Sequence, residues 1–353
     1  MSWRCAVSGG VDVLPVFGRV QGACGVVTLN RPQAINALNV EMVRLVTGML
    51  RVWESDDRVE VVVLRGAGER GFCAGGDVRR QRELALAGGT SRLDALAFWQ
   101  EEYALDGLVA SYSKPVVAVM DGVTMGGGVG LSGFADVRVV TSSSKVAMPE
   151  LTIGFFPDVG ASRLLASAPG ELGTHLALTG HVMDAADAIA VGLADVFVDT
   201  SVDGGAVDAL VERLGDGRSA LAGVVGDDPG PSALMECRQW VDRCYAGSDP
   251  VAIVQALRSS GVEAAGVAAD VIESRSPLAV HIALCALREA AAMSSLEEVL
   301  ARDAVLARWF TDCPDFHEGV RAQLVDKDRS PRWMHGSLSE VRQAEVAAAF
   351  EAH

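Results

Sequence analysis

Lys114-Pro-Val-Val-Ala-Val-Met-Asp-Gly-Val-Thr-Met-Gly-Gly-Gly-Val-Gly130 decides the fold class. Val116–Met120 is an unbroken apolar run of strand length, the pattern of a strand buried on both faces. It empties into Gly122 and then Gly126–Gly128, and a small-residue helix follows. A strand that ends in glycines and leads into a helix is a junction of an α/β layered core.

The same grammar runs upstream. Gly25–Asn30 reads as a strand, and Arg31-Pro-Gln-Ala-Ile-Asn36 as a turn-rich break. Asn39 is placed to cap a helix whose apolar residues Met42, Val43, Leu45, Val46, Met49 and Leu50 fall at helical spacing. Val59–Leu64 is a second buried strand, and a glycine-rich stretch, Gly66–Gly76, follows it. Ser91–Leu108 predicts a helix, and Asp136–Val140 and Lys145–Met148 predict short strands. A strand, strand, helix unit recurs, without a fixed-period repeat.

Gly226-Asp-Asp-Pro-Gly-Pro231 marks a composition shift, and beyond it Val251–Leu257, Pro277–Met293 and Leu296–Phe310 read as helices. The expected organisation is an N-terminal tail at 1–15, an α/β core at 16–214, a linker or surface excursion at 215–231 and a helical C-terminal region at 232–353.

Composition excludes several classes. Half of the 353 residues are hydrophobic and 22% are charged, which rules out global disorder. Mean hydropathy is high, +0.26, yet no apolar run nears the roughly 18 residues of a membrane span. The net charge of −16 argues against a nucleic-acid or anionic-membrane surface. The seven cysteines are scattered, with no CxxC pair, so reduced thiols are expected rather than disulfides or zinc. The six histidines show no metal spacing. Met1–Pro15 carries neither an apolar signal core nor an Arg- and Ser-rich amphipathic pattern, so a cytoplasmic location is expected.

Two segments carry candidate chemistry together. Gly71-Phe-Cys-Ala-Gly-Gly-Asp77 and Asp121–Gly130 each follow an apolar strand and precede a helix. Such junctions leave backbone N–H groups unpaired, and glycine lets a ligand approach the backbone closely. Two of them facing one point form an oxyanion hole, the device needed where a carbonyl oxygen gains charge. A third segment, Met148-Pro-Glu-Leu-Thr-Ile-Gly-Phe-Phe-Pro-Asp-Val-Gly160, sets Glu150 and Asp158 in apolar surroundings. Burial would raise both carboxyls and suit them to proton transfer. Spacing alone leaves another reading open, in which Glu150 caps a helix and Asp158 serves a turn.

Gly25-Val-Val-Thr-Leu-Asn-Arg-Pro-Gln-Ala-Ile-Asn-Ala-Leu-Asn39 resembles the opening signature of the crotonase (enoyl-CoA hydratase/isomerase) superfamily. The Gly71–Asp77 and Gly126–Gly128 segments resemble its two oxyanion-hole loops. The resemblance implies a spiral of ββα units with a helical C-terminal region, and acyl-CoA thioesters as substrates. It implies the backbone amides of Gly76 and Gly127 as oxyanion donors.

Departures narrow the branch. Hydratases of the superfamily carry one catalytic Glu where this chain has Gly130 and a second that matches Glu150. Asp158 stands where hydratases have Gly, a swap that resembles the 3-hydroxyisobutyryl-CoA hydrolase branch. In that branch Glu102 of Glu101-Glu-Tyr103 is the substrate-contacting acid, and Gly127, Glu150 and Asp158 complete the binding set. Asp315–Asp328 and Ser330-Pro-Arg-Trp333 resemble its C-terminal signature.

The expectation is thus a thioester hydrolase of valine catabolism, with Glu150 as nucleophile or general base, Asp158 holding the substrate's 3-hydroxyl or assisting proton transfer to the leaving thiolate, and Glu102 helping to place the hydroxyacyl end. No metal or redox cofactor is implied, CoA being part of the substrate, and a homo-oligomer is open. An enoyl-CoA hydratase/isomerase and a non-catalytic acyl-CoA-binding protein are the alternatives.

Three decoys are set aside. Gly128-Val-Gly-Leu-Ser-Gly133 satisfies a dinucleotide-binding spacing but lies inside the second loop. Ser132 is not in a GxSxG elbow. Cys73 has no neighbouring histidine in the sequence and reads as a buried filler.

Overall fold

The computed structural model describes residues 14–202 and 204–351. Most of the expected N-terminal tail, Met1–Val13, lies outside the described residues. The core is a six-stranded sheet in the order β1-β2-β3-β4-β6-β8: Val16–Gln21, Cys24–Leu29, Val61–Gly66, Val116–Met120, Val137–Thr141 and Val196–Val198. β1 and β2 are antiparallel and every later pairing is parallel. A second, two-stranded parallel sheet joins β5 (Val123–Met125) to β7 (Lys145–Ala147).

Period-two alternation assigns the strand residues to two layers. Val27, Leu29, Val62, Leu64, Val116, Ala118, Met120 and Val140 face the larger core. Cys24, Val26, Val61, Val63, Val117, Val119 and Val139 face the other side. There they meet Val207, Leu210, Val211 and Leu214 of the helix Ala206–Leu214. Helix α1 (Val40–Glu54) packs on the larger core through Met42, Val43, Val46, Leu50 and Trp53, and the Asn39 side chain caps it by accepting from the Met42 amide.

Three strands escaped the sequence reading. β1 is an edge strand whose residues are mostly exposed, so no apolar alternation marks it. β5 and β8 are three residues long. The Gly- and Pro-rich stretch 215–231 runs along the second face, where Ala220, Leu221 and Val224 pack on the apolar layer. The expected C-terminal helices are Pro250–Ser259, Pro277–Ala290 and Leu296–Thr311.

Three helices position the site: α2 (Val78–Ala87), α3 (Gly89–Ala110) and α4 (Gly127–Gly133). α3 packs against α1, α2, α4 and the helix Leu296–Thr311. Its buried face repeats at helical spacing through Ala95, Phe98, Trp99, Glu102, Tyr103, Asp106 and Val109.

Candidate active site

The two glycine loops are zipped to each other by backbone hydrogen bonds. The Cys73 amide donates to the Val123 carbonyl at 3.1 Å, and the Met125 amide donates to the Cys73 carbonyl at 2.9 Å. On its other side the first loop is held by the opening segment. The Leu38 amide donates to Gly75 and the Asp77 amide donates to Leu38, both at 2.8 Å. In a parallel bridge of this register the residue between the two bonded positions turns its own N–H away from the partner strand. That residue is Gly76.

Asn36 completes the clamp. It is fully buried, and its side chain donates to Ala67 and Gly71 while accepting from the Arg31 amide. The turn it closes places Ile35 and Asn36 in the left-handed region, at φ 48° and 54°.

Gly76 and Gly127 therefore stand face to face. A methyl group on Gly127 would lie 3.4 Å from the Gly76 nitrogen and would overlap Glu102 Oε1. A methyl on Gly126 would come within 2.8 Å of Glu150 Oε1. The glycines are needed for lack of space, and the carboxyls of Glu102 and Glu150 flank adjacent residues of one loop. All of these groups line one cavity of about 290 Å³, with Trp99, Ile153, Phe155 and Asp158.

Each carboxyl is buried. Glu102 is 1% exposed, Asp158 4% and Glu150 7%. Glu102 comes from α3. Glu150 opens the 3₁₀ turn Glu150–Ile153, which ends at left-handed Gly154. Asp158 is held by the Tyr103 hydroxyl, which donates to its Oδ2 at 2.7 Å. The backbone after it is strained: Val159, a β-branched residue, has φ 52°. Such a conformation costs on the order of 1–3 kcal/mol and persists at sites that need it. The Gly160 amide, donating to Asp303 Oδ2 at 2.9 Å, helps to hold it.

Burial dominates the electrostatics. It lifts Glu150 and Glu102 well above the usual carboxylate range, and the charge of Asp158 adds to both. Burial also raises Asp158, to about 7, against the opposing pull of the Tyr103 hydrogen bond. One oxygen each of Glu102 and Glu150 has no hydrogen-bond partner among the described residues. Gly76 and Gly127 thus border one cavity together with three carboxyls whose hold on a proton burial strengthens.

The structure brings together Gly76, Gly127, Glu102, Glu150 and Asp158, all named from the sequence. Cys73 is fully buried and burial pushes its thiol up to about 12, the opposite of an activated nucleophile. Sequence reasoning missed Tyr103 as the partner of Asp158, and it missed Asp106, Arg302 and Asp303. An acid at a core position of α3, one turn after Glu102, was the visible signal for Asp106. It also missed Gln323 and Leu324, which close the cavity from the π-helical turn Arg321–Val325.

A family model for enoyl-CoA hydratase/isomerase matches residues 24–350, and the chain belongs to that family. Among its relatives is the 3-hydroxyisobutyryl-CoA hydrolase, mitochondrial, of Danio rerio. It is 38% identical over 337 residues, 93% of this chain and 87% of the relative. The Homo sapiens protein of the same name is 36% identical over 339 residues, covering 94% and 87%. Solved structures agree in fold. A carnitinyl-CoA dehydratase from Mycobacterium thermoresistibile superposes with TM-score 0.89 at 44% identity, covering 95% of this chain and 96% of that one. An enoyl-CoA hydratase from Rhodobacter sphaeroides 2.4.1 gives 0.88 at 37% identity, covering 95% and 97%.

Proposed function

We propose that this chain hydrolyses an acyl-CoA thioester, 3-hydroxyisobutyryl-CoA, to 3-hydroxyisobutyrate and CoA, a step of valine catabolism. One observation carries the reading. Glu102, Glu150 and Asp158 converge on a cavity bounded by Gly76 and Gly127, while position 130 is a glycine with no carboxyl. The relatives named for this activity support the choice of substrate.

The Gly76 and Gly127 amides receive the thioester oxygen and stabilise the charge it gains; one such donor is worth on the order of 10² to 10³ in rate. Glu150 reacts in one of two ways. As nucleophile, its carboxylate oxygen bonds to the thioester carbon, the C–S bond breaks, and the thiolate leaves with its electron pair. Water then cleaves the resulting anhydride. As general base, Glu150 takes a proton from the attacking water and the same C–S bond breaks. In either route Asp158, protonated near neutral pH, supplies the proton to the leaving thiolate, and Glu102 meets the substrate's hydroxyl. Beyond substrate and water, these steps call on side chains and amides of this chain.

Among the described residues no helix is long and apolar enough to cross a membrane. A cytoplasmic location is part of the proposal, supported by the described cysteines, all of which are free; the relatives above are named as mitochondrial.

The test follows thiol release from 3-hydroxyisobutyryl-CoA with a thiol reagent, beside crotonyl-CoA hydration by loss of enoyl absorbance. Thiol release that disappears in Glu150→Gln, without hydration, is the expected result. Hydration without thiol release would overturn the reading.

A further inference from the structure

Asp106 has no part in the roles above. It lies one helical turn after Glu102 on the buried face of α3 and is 1% exposed. Residues four apart on a helix share a face, so the two acids are stacked along the same wall. Neither Asp106 oxygen has a hydrogen-bond partner among the described residues. Gly130 makes room for it: a methyl group there would lie 2.8 Å from Asp106 Oδ2 and 2.5 Å from Val159 Cβ. Asp106 does not line the cavity; it sits behind the groups that do.

Its charged surroundings are acidic. Glu102 faces it from α3, Asp158 from the turn that precedes Val159, and Asp303 from the helix Leu296–Thr311. The Tyr103 hydroxyl is already given to Asp158. The buried guanidinium of Arg302 is engaged by Asp303 at 2.7 Å, by Ser162 Oγ at 2.6 Å and by the Ala286 carbonyl. α4 carries no ionisable side chain. An anion held there would be dry and unpaired, with no cation facing it and with any charge on its three acidic neighbours opposing it, a costlier arrangement than a neutral acid. Asp106 is therefore a neutral carboxylic acid whose O–H has no acceptor. Between it and the cavity stands Glu102, whose Oε1, beside Gly76 and Gly127, has no donor among the described residues.

We propose that Asp106 is a positioning residue that acts through Glu102 and makes the site selective for thioesters bearing a hydroxyl on the acyl chain. Its O–H supplies a donor to one oxygen of the Glu102 carboxyl when substrate fills the cavity. The other oxygen is then fixed to accept the acyl hydroxyl. The inference rests on the hydrolase reading, in which Glu102 meets that hydroxyl.

The measurement is the ratio of kcat/KM for 3-hydroxyisobutyryl-CoA to that for isobutyryl-CoA, both by thiol release. Asp106→Leu removes the donor and is expected to lower the ratio about tenfold or more, as losing a hydroxyl-recognising group does. Asp106→Asn keeps a donor without a charge and is expected to hold the ratio within about threefold. Asp106→Ala answers the same question if the leucine variant does not fold. A ratio that survives in Asp106→Leu, or that collapses equally in Asp106→Asn, overturns the proposal. A wild-type ratio near one would overturn the hydroxyacyl reading and the role of Asp106 with it. No thiol release from either ester would overturn the hydrolase reading itself.

Discussion

On one face of the sheet, Cys24, Val26, Val61, Val63, Val117, Val119 and Val139 meet the apolar side of the helix Ala206–Leu214, with no buried acid in the layer. On the other, the alternate residues of the same strands support α3, α4 and the 149–160 segment. There Glu102, Asp106, Glu150, Asp158 and Asp303 are all buried. The strands cannot account for the difference, because both faces are lined by valine and its like. What differs is the second layer. A short amphipathic helix closes one face with leucine and valine. On the other, glycine loops bring helices close together, and buried carboxyls line the cavity left between them. On the proposed reading, one layer serves packing alone while the other combines the larger core with the chemistry, and both share one scaffold.

The sharpest way to break this division is Glu150→Gln. Thiol release is expected to fall by 10² to 10⁴ or more, the scale of a lost acid–base group, with the melting temperature maintained or raised. Near-normal turnover would remove Glu150 from the chemistry. Next is Gly127→Ala, where the added methyl overlaps Glu102 Oε1 and crowds the Gly76 amide. A loss on the order of 10² in kcat is expected, as for a displaced oxyanion donor. A change confined to KM would show that the loop only binds.

The pH dependence sharpens the contrast. Burial raises Glu150, so it takes up a proton at a higher pH than an ordinary glutamate. The acid limb of kcat/KM is therefore expected well above pH 4.5, and a limb at or below that value would contradict the burial argument. Asp158 gives the matching stability test. Its folded value, about 7, exceeds the ordinary 3.8. Its proton-linked stability is fully present below 3.8 and is lost as pH rises through 7. Asparagine has no such proton to lose. Asp158→Asn is expected to gain on the wild type as pH goes from 5 to 8, by about 2 °C or more in Tm at pH 8. An unchanged gap across that range would count against it.

The smallest expected effect on activity lies on the other face. Leu210→Ala leaves a cavity in the apolar layer and is expected to cost about 2–5 kcal/mol of stability while kcat stays within twofold. A large fall in kcat at a temperature where the variant is folded would show that the layers are coupled.

How far the sequence could carry this depended on range. α1 was legible because its cap and its apolar spacing lie within one stretch, Asn39–Leu50. β4 was legible because a strand buried on both faces is apolar throughout. Glu150 and Asp158 shared one segment, and motif resemblance added Gly76, Gly127 and Glu102. Tyr103 was hidden because its partner is 55 residues away. Asp303 was hidden because it meets Gly160 across 143 residues. Neither contact leaves a local pattern, since nothing in the spacing of α3 tells which buried polar group will find a mate. Asp106 was legible in principle, as an acid in an apolar helical stripe, but only once the stripe was known to face the site.

Gly130 sits wedged between Asp106 and Val159, and this limits which side chains that position can accept. A lineage cannot pass from this arrangement to one with a glutamate on α4 by a single substitution. The new side chain would strike a buried acid and a strained valine before it reached the cavity. Asp106, Gly130 and Val159 are thus sterically tied, so a larger residue at position 130 requires the other two to give way. A barrier to a carboxyl at position 130 is then built into packing behind the cavity rather than into the cavity itself.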